Sequence, residues 1–560
     1  MARKNDSSQV KACFGEPDSG SARENRAGSS REKKDGTSPK RKHSDSSSDS
    51  SQRPAAEARS GGFRDEGELK REPECHMELE PLYANVKHTV LIDTSEFRAG
   101  RIVPYKRPHV WDDSHVKLPH FKESRWGTIL GALQKLMRGS ASVGDVEGAI
   151  ESYNQAYRAE WRFDSLYNYA ELSKRETDFS HVISKMAKLA LKLPVLIQHP
   201  IPLLRQQRNH AITMSQEQIS CLLANAFFCT FPHRNTNQPG SEYSNFPTIN
   251  FSSLFAELSP RKFQKLRALF HYFNTVTNEE TKPDGLVTFK RISIPLNLCP
   301  QWSKSTEHLT NLRVYPEGSI EEMGKGMLQV DFAAKAVGGG VLGNGMVQEE
   351  ILFMQCPELI VARLFTEKLA DNECLKITGA QRYSKTHGYS DTFEWYSTYM
   401  DETKSKDKWK RHYCQIVAID ALKFNNERDQ YTEKNIKREL FKAFVGFSGD
   451  RNVPHDYTPA VATGNWGCGA FKGDPMLKAL IQMMAAAAAH RDVAYFTFKN
   501  VRQADELQKM HEMLKRRKVT VGKLYSLLQD YCKLYSHNRH KGKSVFQYIN
   551  ETMGVQSSNL

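Results

Sequence analysis

The sequence predicts an α/β protein: a layered sheet flanked by helices, preceded by a helical region and a polar N-terminal tail. Three observations carry this. After about residue 283, short β-rich runs alternate with helical segments, the pattern of a sheet covered by helices. Between about 80 and 275, apolar residues recur at helical spacing. Residues 1–78 are rich in Ser, Gly, Asp, Lys and Arg, with almost no large apolar side chains. The expected division is a tail over 1–78, a helical accessory domain over 79–280 and a sheet-bearing domain over 281–550.

The tail comes first. It has too little apolar surface to offset its ordering entropy, so it is expected to be disordered. It carries Lys33, Lys34, Lys40, Arg41 and Lys42 beside a serine-acid run, the form of a nuclear import signal. Holding no candidate site residue, it is expected to be dispensable for chemistry, so that a chain starting near Pro81 keeps full activity.

In the helical region, Ile129, Leu130, Leu133, Leu136 and Met137 share a helical face, as do Val182, Ile183, Met186 and Leu189. "TMSQEQISCLLANAFFCTF" opens with Ser215 and Gln218 at capping-box spacing and then runs apolar. These stripes read as core.

Strands are expected at 285–292, 327–333, 414–421 and 493–498. Between the last two, Asp474 suits an N-cap and Pro475 a first helical position, leading "GDPMLKALIQMMAAAAAHRD". Residues 509–543 hold ten Lys/Arg against Glu512 and Asp530, with Leu514, Leu524 and Leu527 in apolar spacing. They are expected to form a basic amphipathic helical region.

Whole-chain properties narrow the function. The formal charge is +14. Residues 1–74 hold 16 Lys/Arg against 14 Asp/Glu, which leaves +12 on the part expected to fold. A basic folded region suits a polyanionic partner, or is simply a solvated surface. No run is apolar enough to span a membrane, and no secretory signal pattern opens the chain. The ten cysteines are scattered without a CxxC pair, which suits free thiols and argues against a disulfide framework or a zinc site.

The stretch "QVDFAAKAVGGGVLGNGMVQEEILF" is the chemical centre. Gly338, Gly339 and Gly340 let backbone amides approach an anion, or form a mere turn. No GK[ST] follows, so this is not a Walker loop. Glu349 and Glu350 open a short helix ending before Pro357. Adjacent carboxylates repel, so one holds its proton to raised pH; alternatively, both are exposed acids favoured by the helix dipole. A second glycine-rich loop, "AVATGNWGCGAFKGD", offers Asn465, Gly467, Gly469 and Phe471 as amide donors and an aromatic face, and Phe498 ends a later strand as a possible stacking face. Together these describe a site for a nucleotide sugar, where a protonated carboxyl cleaves a glycosidic bond.

These motifs, with "EGSIEEMGKGMLQVDFA", "PELIVARLFTEKL" and "TGNWGCGAF", resemble the catalytic region of the animal poly(ADP-ribose) glycohydrolase family over about residues 85–550. The resemblance implies a macrodomain-like three-layer α/β/α core with a mixed sheet, preceded by a helical accessory domain. It implies hydrolysis of ribose–ribose bonds in poly(ADP-ribose), mainly from the chain end, releasing ADP-ribose without metal or cofactor, in DNA-damage signalling. Glu350 would protonate the departing ribose oxygen and then activate water. Glu349 would position ribose hydroxyls, and Asp331 belongs to the same set. Gly338–Gly340 and Gln348 would hold the diphosphate and ribose region, and Ile320 and Glu321 the adenine. Tyr389 and the loop 465–471 would close over the diphosphate, and Phe498 would pack on the nucleotide. ADP-ribosylated proteins are the implied partners. The chain is expected to be a nuclear monomer with the cytoplasm as a second location.

Two positions depart from the family pattern. "DFAA" places Ala334 where the family has asparagine, and "THGY" places Thr386 at the first tyrosine of a Tyr-x-x-Tyr pair while keeping Tyr389. Both substitutions bear on affinity and leave the acid pair intact. The alternative reading is a weakly catalytic or non-catalytic ADP-ribose reader.

Overall fold

The computed structural model describes residues 68–121, 125–236, 238–401, 405–449, 453–537 and 542–554. The basic clusters at 33–42, and the tail before residue 68, lie outside the described residues.

The centre is one mixed sheet built from β1 (His88–Val90), β2 (His210–Ser215), β3 (Leu286–Ser293), β4 (Leu312–Tyr315), β5 (Leu328–Asp331), β6 (Glu373–Thr378), β9 (Gln415–Ala418), β10 (Val461–Gly464) and β11 (Val493–Phe496). The remaining pair, β7 (Ser384–His387) and β8 (Glu394–Thr398), forms a separate antiparallel hairpin. The order across the sheet is β1-β2-β3-β6-β9-β5-β10-β11-β4. Strands β9, β5, β10, β11 and β4 run parallel, so their carboxyl ends share one edge. Pairing turns antiparallel at β6 and β3. Every residue of β5, β10 and β11 is buried, as expected for strands covered on both faces.

Alternation divides the sheet between two cores. Ile416 and Ala418 of β9, Leu375 and Ile377 of β6, and Val287 and Phe289 of β3 face the first. That core is covered by α1 (Trp126–Leu136), α2 (Val143–Ser152), α3 (Asp164–Leu172), α4 (Phe179–Leu191), α5 (Gln216–Phe227) and α6 (Pro260–Val276), joined by α7 (Gln348–Gln355). Val417, Leu328, Val461 and Val493 face the second. It is covered by α8 (Glu433–Phe447), α9 (Pro475–Ala488), α10 (Val501–Arg516), α11 (Val521–Ser536) and α12 (Val545–Thr552). The helix starts follow their caps. Ser215 accepts the Gln218 amide while the Gln218 side chain returns to the Ser215 amide, and Asp474 accepts the Met476 and Leu477 amides.

Three expectations change. The segment read as mostly helical also contributes β1 and β2, so helical region and sheet share one framework. The C-terminal basic region is two helices, because Thr520 accepts the Lys523 amide and restarts the chain as α11. The tail was expected to be unstructured through residue 78, yet the chain is packed from residue 68. Leu69 and Cys75 are buried. The Glu72 amide donates to Gly326 O at 2.7 Å, and Lys70 O accepts the Ala460 amide at 2.8 Å. Arg71 Nη1 donates to Met323 O and Lys325 O. A polar composition concealed this strap because its anchors are backbone hydrogen bonds and polar side chains such as Arg71, with Leu69 and Cys75 as its buried apolar residues.

Candidate active site

The shared carboxyl edge gathers the candidate residues. The short helix Ile320–Met323 lies between β4 and β5, the glycine loop follows β5, the loop 465–474 follows β10, and Phe498 follows β11. In open α/β sheets this edge is where ligands bind.

The glycine loop and the acid pair fit each other. Glu349 Oε1 accepts the Gly338 amide at 2.5 Å and its Oε2 the Ala334 amide at 2.8 Å. Glu350 Oε1 accepts the Gly340 amide at 2.7 Å, and its Oε2 the Val347 amide at 2.9 Å, the return half of a capping box on α7. The Gly339 amide donates to Ala336 O. The triplet therefore commits all three amides within the protein. What comes close to this backbone here is the glutamates themselves.

Both glutamates are buried, at 2% and 4% exposure, and Asp331 is at 0%. Burial, then the neighbouring Glu350 and Glu321, pushes the Asp331 carboxyl well above its usual range. Burial, then Asp331 and Glu350, does the same to Glu349 against the pull of its two amide donors. Asp331 and Glu349, buried beside one another, cannot both ionise cheaply, so the pair holds a proton above the ordinary carboxyl range. The reading of two exposed helix-end acids falls on their burial.

The other candidates divide. Gln348 Oε1 accepts the Phe332 amide at 2.8 Å, and its Nε2 donates to Glu321 Oε1 at 3.1 Å, which ties Glu321 to the centre. Ile320 does not present its side chain: it packs with Leu69, Met327 and Phe496. Tyr389 is 52% exposed, and Glu350 adds to the burial that raises its hydroxyl pKa. Arg261 of α6 steadies the stretch after Tyr389, donating to Asn344 O and Ser390 Oγ, each at 2.9 Å. Phe498 is 42% exposed and meets Phe332 edge-on, with centroids 6.4 Å apart.

In the second loop, Trp466 is corrected from ligand contact to core. It is fully buried, its Nε1 donates to Ile419 O at 3.0 Å, and the Lys478 ammonium sits 4.2 Å over the ring. The Asn465 amide is likewise committed to Gln503, and its Oδ1 also accepts Tyr495 Oη–H. Gly467, at φ +75°, turns the chain where a Cβ would lie 2.5 Å from Ala421 Cβ. Cys468 is half-buried, and burial raises its thiol pKa, which does not suit a nucleophile. Gly469 and Ala470 are exposed, and Phe471 is half-buried.

At the two substituted positions, Ala334 contributes only its backbone amide. Thr386 Oγ1 accepts from Gln355 Nε2 at 2.8 Å, pinning the hairpin to the end of α7. Sequence reading missed Lys265 and Arg363, which contact the glycine loop from remote segments. No motif marks Lys265; Arg363 lies within "PELIVARLFTEKL", but nothing in that stretch points it at the glycine loop.

Comparison with known proteins decides the family. Residues 170–291 match the model described as "Poly (ADP-ribose) glycohydrolase (PARG), helical domain". Residues 299–505 match "Poly (ADP-ribose) glycohydrolase (PARG), Macro domain fold". Poly(ADP-ribose) glycohydrolase 1 of Arabidopsis thaliana is 33% identical over 452 residues, covering 66% of this chain and 80% of that protein.

The chain belongs to the poly(ADP-ribose) glycohydrolase family.

Poly(ADP-ribose) glycohydrolase 1 of Caenorhabditis elegans is 31% identical over 363 residues, covering 62% of this chain and 44% of its own length. A Deinococcus radiodurans poly(ADP-ribose) glycohydrolase solved with ADP-ribose aligns at 12% identity and a TM-score of 0.25, over 41% of this chain and 95% of that one. That likeness is too remote to bear on the fold. In this glycohydrolase family member, the helical-domain match spans α4, α5 and α6 with β2 and most of β3, and the macrodomain match spans β4 to β11 with α7, α8 and α9.

Proposed function

We propose that this chain is a poly(ADP-ribose) glycohydrolase that cleaves ribose–ribose bonds, mainly from the chain end, with Glu350 as its acid and base. The observation that carries the reading is the acid pair: two adjacent buried glutamates, each held by two backbone amides, at the ligand edge of a family macrodomain fold. A proton from Glu350 passes to the departing ribose oxygen as the glycosidic C–O bond breaks, its electron pair leaving with that oxygen. Water then bonds to the anomeric carbon and returns a proton to Glu350. Glu349 orients ribose hydroxyls, and Asp331 helps keep a proton in the cluster.

Glu321 and Phe498 offer an acceptor and a ring face to the adenosine. Gln348 braces Glu321. Tyr389 and the exposed stretch of the second loop around Gly469 and Ala470 face the diphosphate. Free ADP-ribose is the product, and ADP-ribosylated proteins present the substrate. Reversal of polymer modification in DNA-damage signalling, a nuclear location with the cytoplasm as a second one, and a monomeric state complete the proposal.

Ala334 favours a second reading, a reader that binds polymer without cutting it, because it lacks the family's side-chain amide. Incubation with defined poly(ADP-ribose), followed by chromatography, separates the two. Released ADP-ribose supports the hydrolase; bound, intact polymer supports the reader.

A further inference from the structure

The carbonyls of the glycine loop are as fully engaged as its amides. Lys265 of α6 is completely buried. Its Nζ donates to Gly340 O at 3.1 Å, Val341 O at 3.0 Å, Gly343 O at 2.8 Å and Gly345 O at 2.5 Å. Arg363, also buried, closes the other end: its Nη1 donates to Val337 O at 3.1 Å and Gly339 O at 3.0 Å, while its Nε is fixed by Thr248 O. The peptide groups of residues 337–345 are thus drawn by their carbonyls toward two cations. On the other side, the amides of Gly338 and Gly340 are drawn toward Glu349 and Glu350.

We propose that Lys265 is a positioning residue for hydrolysis, gathering four loop carbonyls so that the loop amides hold Glu350 in its working orientation. This rests on Glu350 being the acid. The link runs through the residues themselves: Gly340 donates its amide to Glu350 and, through its carbonyl in the next peptide, accepts from Lys265, so turning the Gly340 and Gly345 carbonyls away from Lys265 would move backbone against which Glu350 is packed. A Cβ at Gly345 would lie 2.7 Å from Glu350 Oε1, so no slack exists there. Burying an ammonium carries a heavy desolvation cost. That cost appears here as a pKa pushed down to about 7, which the nearby Glu350 carboxylate opposes. An apolar side chain at this point of α6 would avoid the cost but take this donor from four carbonyls, of which, among the described residues, only Gly340 O keeps another, the Gly343 amide at 2.9 Å. The inference also gives the helical region a part in the chemistry, since α6 supplies the clamp.

The test compares wild type, Lys265→Gln, Lys265→Arg and Glu350→Gln by thermal melting, ADP-ribose calorimetry and steady-state hydrolysis of poly(ADP-ribose). Gln keeps donors and loses the charge; Arg keeps the charge but replaces one tetrahedral donor by a planar fork. Each Lys265 variant should bind ADP-ribose as wild type does, since the clamped amides serve the acids and not the ligand. Each should lose kcat by about 10²-fold, the scale of a small misplacement of a reacting group. A merely structural role would lower the melting temperature and leave kcat per ligand-competent molecule unchanged. Wild-type kcat in folded Lys265→Gln overturns the proposal; should that variant not melt cooperatively, Lys265→Arg decides by the same readout. If Glu350→Gln turns over normally, the acid assignment itself fails. If it is inactive while Lys265→Gln is normal, only the positioning role fails.

Discussion

At position 339 a Cβ would lie 2.5 Å from Glu350 Oε1 and 2.6 Å from Glu349 Oε2, on a backbone with φ +44°. Glycine is needed there to let the acids fold back onto their own loop, and this gives the residue-scale chemistry its pH dependence. Burial and mutual repulsion raise Asp331 and Glu349, so the cluster keeps a proton above the ordinary carboxyl range. Hydrolysis should therefore fall on the alkaline side as that proton is lost. Removing a negative neighbour lowers a carboxyl pKa, so Asp331→Asn should move the alkaline limb of kcat/KM to lower pH; an unmoved limb would separate Asp331 from the acid cluster. Ala334 leaves room for a second change. Its amide already serves Glu349, so Ala334→Asn adds a side-chain amide without disturbing that bond. ADP-ribose binding by calorimetry should tighten by the worth of one hydrogen bond, about 0.5–1.5 kcal/mol, with kcat little changed.

Among the elements, the strap at residues 68–80 departs most from what its composition suggested. It runs beneath the Ile320–Met323 helix, where Arg71 holds two carbonyls at the end of that helix and Leu69 packs with Ile320. That helix carries Glu321. A protein beginning at residue 68 should keep wild-type activity, whereas one beginning at Pro81 should bind ADP-ribose more weakly and hydrolyse polymer more slowly. Equal activity of the two would show that the strap is a passenger. The regular elements were far more legible. Strands β3, β5, β9 and β11 and the caps of α5 and α9 lie within a few residues of their expected places, because β-rich runs and cap residues are local signals. Short β1 and β2 were not legible inside a helical pattern. Nor was the inward turn of Trp466: a Gly-rich loop advertises exposure, and only the fold supplies the Ile419 carbonyl that takes its indole N–H. Lys265 and Arg363 were hidden for a related reason, since their partners lie some 75 and 24 residues away in the chain.

Over the whole molecule, charge and site work on different length scales. The portion after residue 74 carries the +12 surplus, while poly(ADP-ribose) carries two phosphate charges per unit. Counterion release then makes polymer affinity fall steeply with salt, and free ADP-ribose should respond much less. Filter binding of long polymer and calorimetry of monomer, each over a salt series, measure the two slopes; equal slopes would mean that the basic surface does not engage the chain. The cleavage chemistry should not share this dependence, because its acids are buried. The central claim is that Glu350 supplies the proton, and its most direct measurement is single-turnover hydrolysis of defined poly(ADP-ribose) by Glu350→Gln beside ADP-ribose calorimetry on the same protein. The structure predicts intact ADP-ribose binding with a rate reduced by at least about 10²–10⁴-fold, the usual contribution of a general acid–base group. A Glu350→Gln protein that releases ADP-ribose at near the wild-type rate would contradict it.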